Sequence, residues 1–194
     1  ILFSKNFNIK RIFSFEPSPV NFKKLSQNKR FIQNKFQDLE INLENYALGS
    51  EKKKLLMKQL SETSSSTINN IDQNSKYFKK KNTFLNLKKN ENFIEEVEIN
   101  QITLSDYLEQ KKILKIDFLK IDTEGYEFNV LVGMGKYLQN VNLIMFEHHY
   151  HDMLIKDYSF SDIHDLLKKN NFNQIYKYKM PFRKTFEYVY VKKS

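Results

Sequence analysis

The segment Ile116-Asp117-Phe118-Leu119-Lys120-Ile121-Asp122-Thr123-Glu124-Gly125-Tyr126-Glu127 constrains the fold more than any other stretch of this chain. A β-rich run ends near Ile121, and Gly125 marks a turn. Phe128, Leu131 and Met134 then recur at i, i+3 and i+6, which is the spacing of one helix face. A strand thus passes straight into a helix. The next apolar run, Asn142-Leu143-Ile144-Met145-Phe146-Glu147, is continuous, as in a strand covered on both faces of a parallel sheet. Together the two segments direct the chain toward an α/β sheet.

The rest of the sequence keeps that rhythm. Residues 9–16 read as a strand stopped by Pro17 and Pro19, and 20–29 as an amphipathic helix with Ser18 as its cap. Strands are expected at 41–47, closed by Gly49-Ser50, at 55–60 and through Val97, Ile99 and Ile102. A short helix follows at 104–108. Ser161 is the expected cap of a helix carrying Ile163, Leu166 and Leu167, which Asn170-Asn171 ends. Segments 173–179 and 186–192 flank Pro181 as an antiparallel hairpin. Residues 61–92, rich in Ser, Thr, Asn and Lys, read as a long polar loop within a single domain spanning 1–194.

Composition excludes several classes. The 194 residues contain no cysteine, so disulfides, thiolate nucleophiles and Cys-based zinc sites are ruled out. No apolar run approaches the roughly 20 residues of a membrane span, and no signal-peptide pattern stands at Ile1, so a cytoplasmic location is expected. The net charge of +9 comes from lysine, with only Arg11, Arg30 and Arg183 as arginines, and 21 asparagines accompany it. Such usage is what an AT-rich coding sequence writes. Nucleic-acid recognition leans on arginine forks, and Lys52–Lys54 and Lys79–Lys81 have no aromatic platform beside them, so no nucleic-acid partner is expected. The four glycines stand at 49, 125, 133 and 135, leaving no glycine-rich phosphate loop before residue 49.

Ligands of open, mostly parallel sheets bind beyond the carboxyl ends of the strands. Glu16, Asp122 with Glu124, and Glu147 are the acids delivered there. Glu16 suits the two hydroxyls of a ribose, or is simply a polar strand end. Asp122 and Glu124 suit a ligand, a helix cap and first turn, or both. Lys120 shares a strand face with Asp122, so an ion pair with one of these acids is expected. His148, His149 and His151 crowd the loop after Glu147. A metal site, a histidine base and structural imidazoles are all compatible with that cluster, and a base of pKa near 6.5 works well at neutral pH.

Phe15-Glu16-Pro17-Ser18-Pro19 with Phe22 and Leu25, then Asn45-Tyr46-Ala47-Leu48-Gly49, resemble the first half of FkbM-type methyltransferases. The likeness continues through Ser64-Ser65-Ser66 and Ile102–Leu108. It is most specific at Asp117–Glu127 with Val130, Leu131 and Gly133, and ends at Glu147. The resemblance implies an open Rossmann-like class I methyltransferase sheet with a C-terminal antiparallel hairpin. It also implies an S-adenosylmethionine-dependent O-methyltransferase acting on a hydroxyl of a sugar or related natural product. By position, Glu16 would bind the cofactor ribose, and Asn45 and Ala47 would lie near the adenine. Asp122 and Glu124 would line the methyl-transfer pocket beside the methionine part. Glu147 and His148 would face the acceptor, with His148 as the general base and no metal required. The family's first strand and its glycine loop are expected just before Ile1, with Ile1–Lys5 in the helix that follows. That arrangement makes this an N-terminally truncated domain with weak cofactor affinity. The readings that compete with it are another nucleotide-cofactor enzyme, such as a dinucleotide-dependent oxidoreductase, and a non-catalytic basic module.

Overall fold

A computed structural model describes residues 6–60, 67–84, 94–181 and 183–193. The expected helix at Ile1–Lys5 and the Ser64–Ser66 stretch lie outside the described residues. Strand β1 (Arg11–Phe15) runs parallel to β2 (Glu40–Glu44), with helix α1 (Pro19–Lys35) as the crossover. Ser18 caps α1 as expected, accepting a hydrogen bond from the Asn21 N–H, and Pro19 occupies the first turn, where its missing N–H costs nothing.

A second sheet places β6 (Ile94–Ile102) between β3 (Ala47–Leu48), which is parallel to it, and β4 (Lys53–Leu60), which is antiparallel. The largest sheet has the order β10–β11–β8–β7 and comprises Phe172–Lys179, Thr185–Lys192, Val141–His149 and Ile116–Ile121. Strands β7 and β8 are parallel, and the terminal hairpin β10–β11 adds antiparallel to β8. Helix α3 (Leu104–Gln110) precedes β7, and α4 (Glu127–Val132) with a 3-10 turn (Gly135–Asn140) links β7 to β8. Helix α5 (Phe160–Lys169) crosses to the hairpin. The main core lies between these helices and one face of the large sheet, around Val130, Leu131, Met134, Ile144, Phe146, Ile163, Leu167, Tyr188 and Tyr190.

The structure differs from the expectations in four places. The described strands form four sheets, not one open sheet, because among the described residues no strand bonds the second edge of either β1 or β7. Within the expected polar loop, 67–84 contains β5 (Asn70–Ile71), paired with β9 (Leu154–Ile155), and helix α2 (Lys76–Phe84). Ile71, Phe78, Met153 and Leu154 form a small separate core that holds this segment down, so a few apolar residues suffice. Helix α5 is capped by Ser159, not Ser161, because Asp162 returns the hydrogen bond in a reciprocal capping box. Finally, α4 begins only at Glu127, which puts Asp122 well outside it, so neither Asp122 nor any other side chain caps that helix.

Candidate functional site

Alternation along β8 sorts its C-terminal residues onto two sides of the sheet. Ile144, Phe146 and His148 face the core, whereas Met145, Glu147 and His149 face the other way. The register aligns Ile121 with Phe146 and Glu147 with Glu187. Asp122, Glu147 and Glu187 therefore form a row across three strands, with Lys120 one step behind on the same face. The Lys120 ammonium pairs with Asp122 at 2.9 Å, as expected from their spacing.

Two carboxylates side by side in a half-dry row resist ionising together. Burial and the neighbouring Asp122 push the Glu147 carboxyl up from 4.5 to about 7, with Lys120 and His149 opposing and Glu187 adding to the rise. The sign for stability follows directly. Between 4.5 and about 7 the folded chain keeps a proton that the unfolded chain releases, so stability falls as pH rises through that window. Glu147→Gln is expected to abolish this slope and to gain on the order of 2 kcal/mol over wild type at pH 8 but not at pH 4. Urea melts at the two pH values measure it, and parallel pH profiles for both proteins would refute it.

The turn after β7 is held from several directions. Glu124 sits in the left-handed region at φ 48°, and Gly125 at φ 95°. Buried Glu127 accepts from the Gly125 N–H at 2.8 Å, the Thr123 hydroxyl at 3.1 Å and the Tyr158 hydroxyl at 2.6 Å. From the 67–84 segment, the Thr67 hydroxyl donates to the Glu124 carbonyl at 2.8 Å, and the Asn69 amide to the Gly125 carbonyl. A side chain on Gly125 would meet that amide at 2.7 Å. The same segment stacks Tyr77 on His151, ring centroids 4.2 Å apart.

Glu124 presents its carboxylate to His149, with Oε2 3.2 Å from Nε2. His149 is only 4% exposed. Burial by itself disfavours its charged form, but the Glu124 hydrogen bond and the charges of Glu124, Glu127 and Glu147 outweigh it and raise the pKa. His148 has the opposite surroundings. Its ring is 2% exposed and meets Tyr150, Tyr158 and Phe160 at 4.8 to 5.9 Å. The Lys156 ammonium stands 3.4 Å from its Nε2 and donates to the His149 carbonyl. Burial, with Lys156 and His149 adding, drives the His148 pKa down to about 3. An imidazole of that pKa is a weak proton acceptor at neutral pH, so these surroundings do not suit the base role expected of His148.

At the end of β1, the Glu16 carboxylate accepts the Ser18 N–H at 2.9 Å, and burial raises its pKa against that bond. The Asn45 amide donates to the carbonyls of Glu16 at 2.7 Å and Pro17 at 3.2 Å, tying the ends of β1 and β2 together. Ala47 is buried with Met57 and Ile99 under the three-stranded sheet. The structure thus brings Asp122, Glu124 and Glu147 together, and turns His148 away into the core. Sequence reasoning passed over Thr67 and Asn69, and gave Glu127 and His149 no role of their own. Extending the Ile144, Phe146 alternation by one step would have separated His148 from His149. Among the described residues no group of three or more acids, histidines or cysteines is placed to hold a metal ion.

Carboxylates and an imidazole gathered at the carboxyl ends of adjacent parallel strands define an α/β domain of the kind that binds ligands at its strand ends. The family model of the methyltransferase FkbM domain matches residues 1–173, and the chain belongs to that family. No curated protein matches it. Among solved structures it is similar to the crystal structure of methyltransferase FkbM from Methylobacillus flagellatus KT, with a TM-score of 0.55 and 14% identity. That likeness concerns the fold. It covers 94% of this chain but 36% of the other, so this chain spans about a third of that protein's length.

Proposed function

We propose that this domain belongs to an S-adenosylmethionine-dependent methyltransferase that modifies a hydroxyl group of a sugar or related natural product. The observation that carries the reading is the polar edge formed by Asp122, Glu124, Glu147 and His149 at the ends of β7 and β8, in a chain of this family. The donor would supply an electrophilic methyl group on a sulfonium. Glu16 would hold the ribose, since a carboxylate that accepts one N–H keeps capacity for further donors. Asn45, which ties the ends of β1 and β2 together, and Ala47 would lie near the adenine. Asp122, half-exposed and paired to Lys120, would face the amino-acid end of the donor. Glu147 and the turn at Glu124 would face the acceptor. The chain's contribution to rate is positioning and removal of the hydroxyl proton.

Calorimetric titration of the protein with S-adenosylmethionine tests the reading. Glu16→Ala and Asp122→Ala are each expected to weaken binding about tenfold or more, equivalent to roughly 1.4 kcal/mol. No binding by the wild-type protein, or unaltered binding in both variants, would sink it.

A further inference from the structure

We infer that His149, oriented by Glu124, accepts the proton of the acceptor hydroxyl, and that His148 is a packing residue of the core. This inference rests on the methyl-transfer reading above and names the group that completes it. The two imidazoles are neighbours in sequence but lie on opposite sides of the sheet. Only His149 shares a face with Glu147 and the Asp122–Lys120 pair.

The hydrogen-bond pattern assigns its two nitrogens different tasks. Nε2 lies against the Glu124 carboxylate, which favours the tautomer with its proton there. Nδ1 is then the accepting atom, and it is buried with no hydrogen-bond partner among the described residues. A buried acceptor without a donor is costly, and an arriving hydroxyl relieves that cost. Glu124 is held for the task by an uncommon backbone conformation at φ 48°, anchored through its own carbonyl by Thr67. Non-glycine residues in this region are strained and persist where surrounding contacts over-determine them. The charges facing His149 come from the β7 turn (Glu124), α4 (Glu127) and β8 (Glu147), and all three favour its imidazolium. Lys156 sits on its carbonyl, and His151 meets its ring edge at 5.1 Å.

The step balances as follows. The acceptor oxygen bonds the methyl carbon while the carbon–sulfur bond breaks, and its electron pair stays on sulfur, which becomes a neutral thioether. The hydroxyl proton passes to His149 Nδ1. The positive charge lost at sulfur reappears on the imidazolium beside Glu124.

Two measurements on the protein test the assignment. The first is single-turnover methyl transfer from labelled S-adenosylmethionine to a panel of methyl hexosides. His149→Asn is expected to slow transfer at least 100-fold while S-adenosylhomocysteine affinity stays within twofold. Glu124→Gln is expected to slow it about tenfold and to move the acidic limb of the pH profile to lower pH. His148→Phe, which suits its ring cage, is expected to retain at least a fifth of the rate. Rapid transfer by His149→Asn, or loss in His148→Phe alone, overturns the proposal. The second measurement needs no turnover. Imidazole nitrogen NMR should show a neutral His149 with its proton on Nε2, and Glu124→Gln should lower its titration midpoint. A proton on Nδ1 in the neutral form overturns the assignment even if no hexoside is methylated. Failure to bind S-adenosylmethionine would instead count against the methyl-transfer reading.

Discussion

Glu127→Ala is expected to lower the stability of the chain by about 3–5 kcal/mol, one of the largest effects of any single substitution here. Glu127 is fully buried and accepts from three donors, the Thr123 hydroxyl, the Gly125 N–H and the Tyr158 hydroxyl. Alanine leaves those donors without an acceptor. An unsatisfied buried donor costs about 1–3 kcal/mol, and the vacated volume adds to the loss. Tyr158 cannot escape by ionising, because burial, the largest cause of its raised pKa, persists in the variant. Glu127→Gln keeps one acceptor oxygen and should lose less. Urea denaturation of the three proteins measures the effect, and a loss under about 1 kcal/mol for alanine would show that the turn does not depend on this carboxylate. Because the same turn presents Glu124 to His149, Glu127→Ala should also remove the raised titration of His149.

Gly133→Ala is expected to cost about 3 kcal/mol or more, for a different reason. Gly133 ends α4, and a β-carbon there would stand 1.9 Å from the carbonyl oxygen of Gly49 and 2.8 Å from its carbonyl carbon. Both obstacles are backbone, so no rotamer change relieves the overlap. The surrounding chain has little freedom to yield. Gly133 receives the Ser105 N–H at 3.0 Å and donates to Asn129 at 3.0 Å, while the Gly49 N–H is bonded to Ile102 at 3.0 Å. Moving Gly133 away would disturb the start of α3, the end of α4 and the edge of the three-stranded sheet together. For a chain of this size a melting temperature about 10 °C below wild type is expected. A fall of less than about 3 °C would mean that the Gly49 segment adjusts without loss.

Much of the architecture was legible because it depends on short-range chemistry. Ser18 followed by Pro19 announces a helix start, and the structure shows that cap. The apolar run 142–147 predicts a buried strand, and the terminal hairpin follows from two β-rich runs flanking Pro181. The spacing of Lys120 and Asp122 puts both on one face of β7, and they pair. Lysine and asparagine dominate the segment 67–84, so its composition points to a loop. Its helix and short strand are held instead by Phe78 and Ile71 against Met153 and Leu154, about eighty positions further along.

The sequence by itself determined that acids would stand at the ends of three strands and that imidazoles would crowd the end of β8. Those facts follow from alternation and turn chemistry, which act over a few residues. Only the tertiary structure decided what each group can do. Glu147 is raised to about 7 by burial and Asp122, and His148 is lowered to about 3 by burial and Lys156, whereas His149 is raised through Glu124. Protonation depends on desolvation and on charges within a few ångströms. The turn after β7 and the segments that pack on it bring those charges together from elements far apart in the chain.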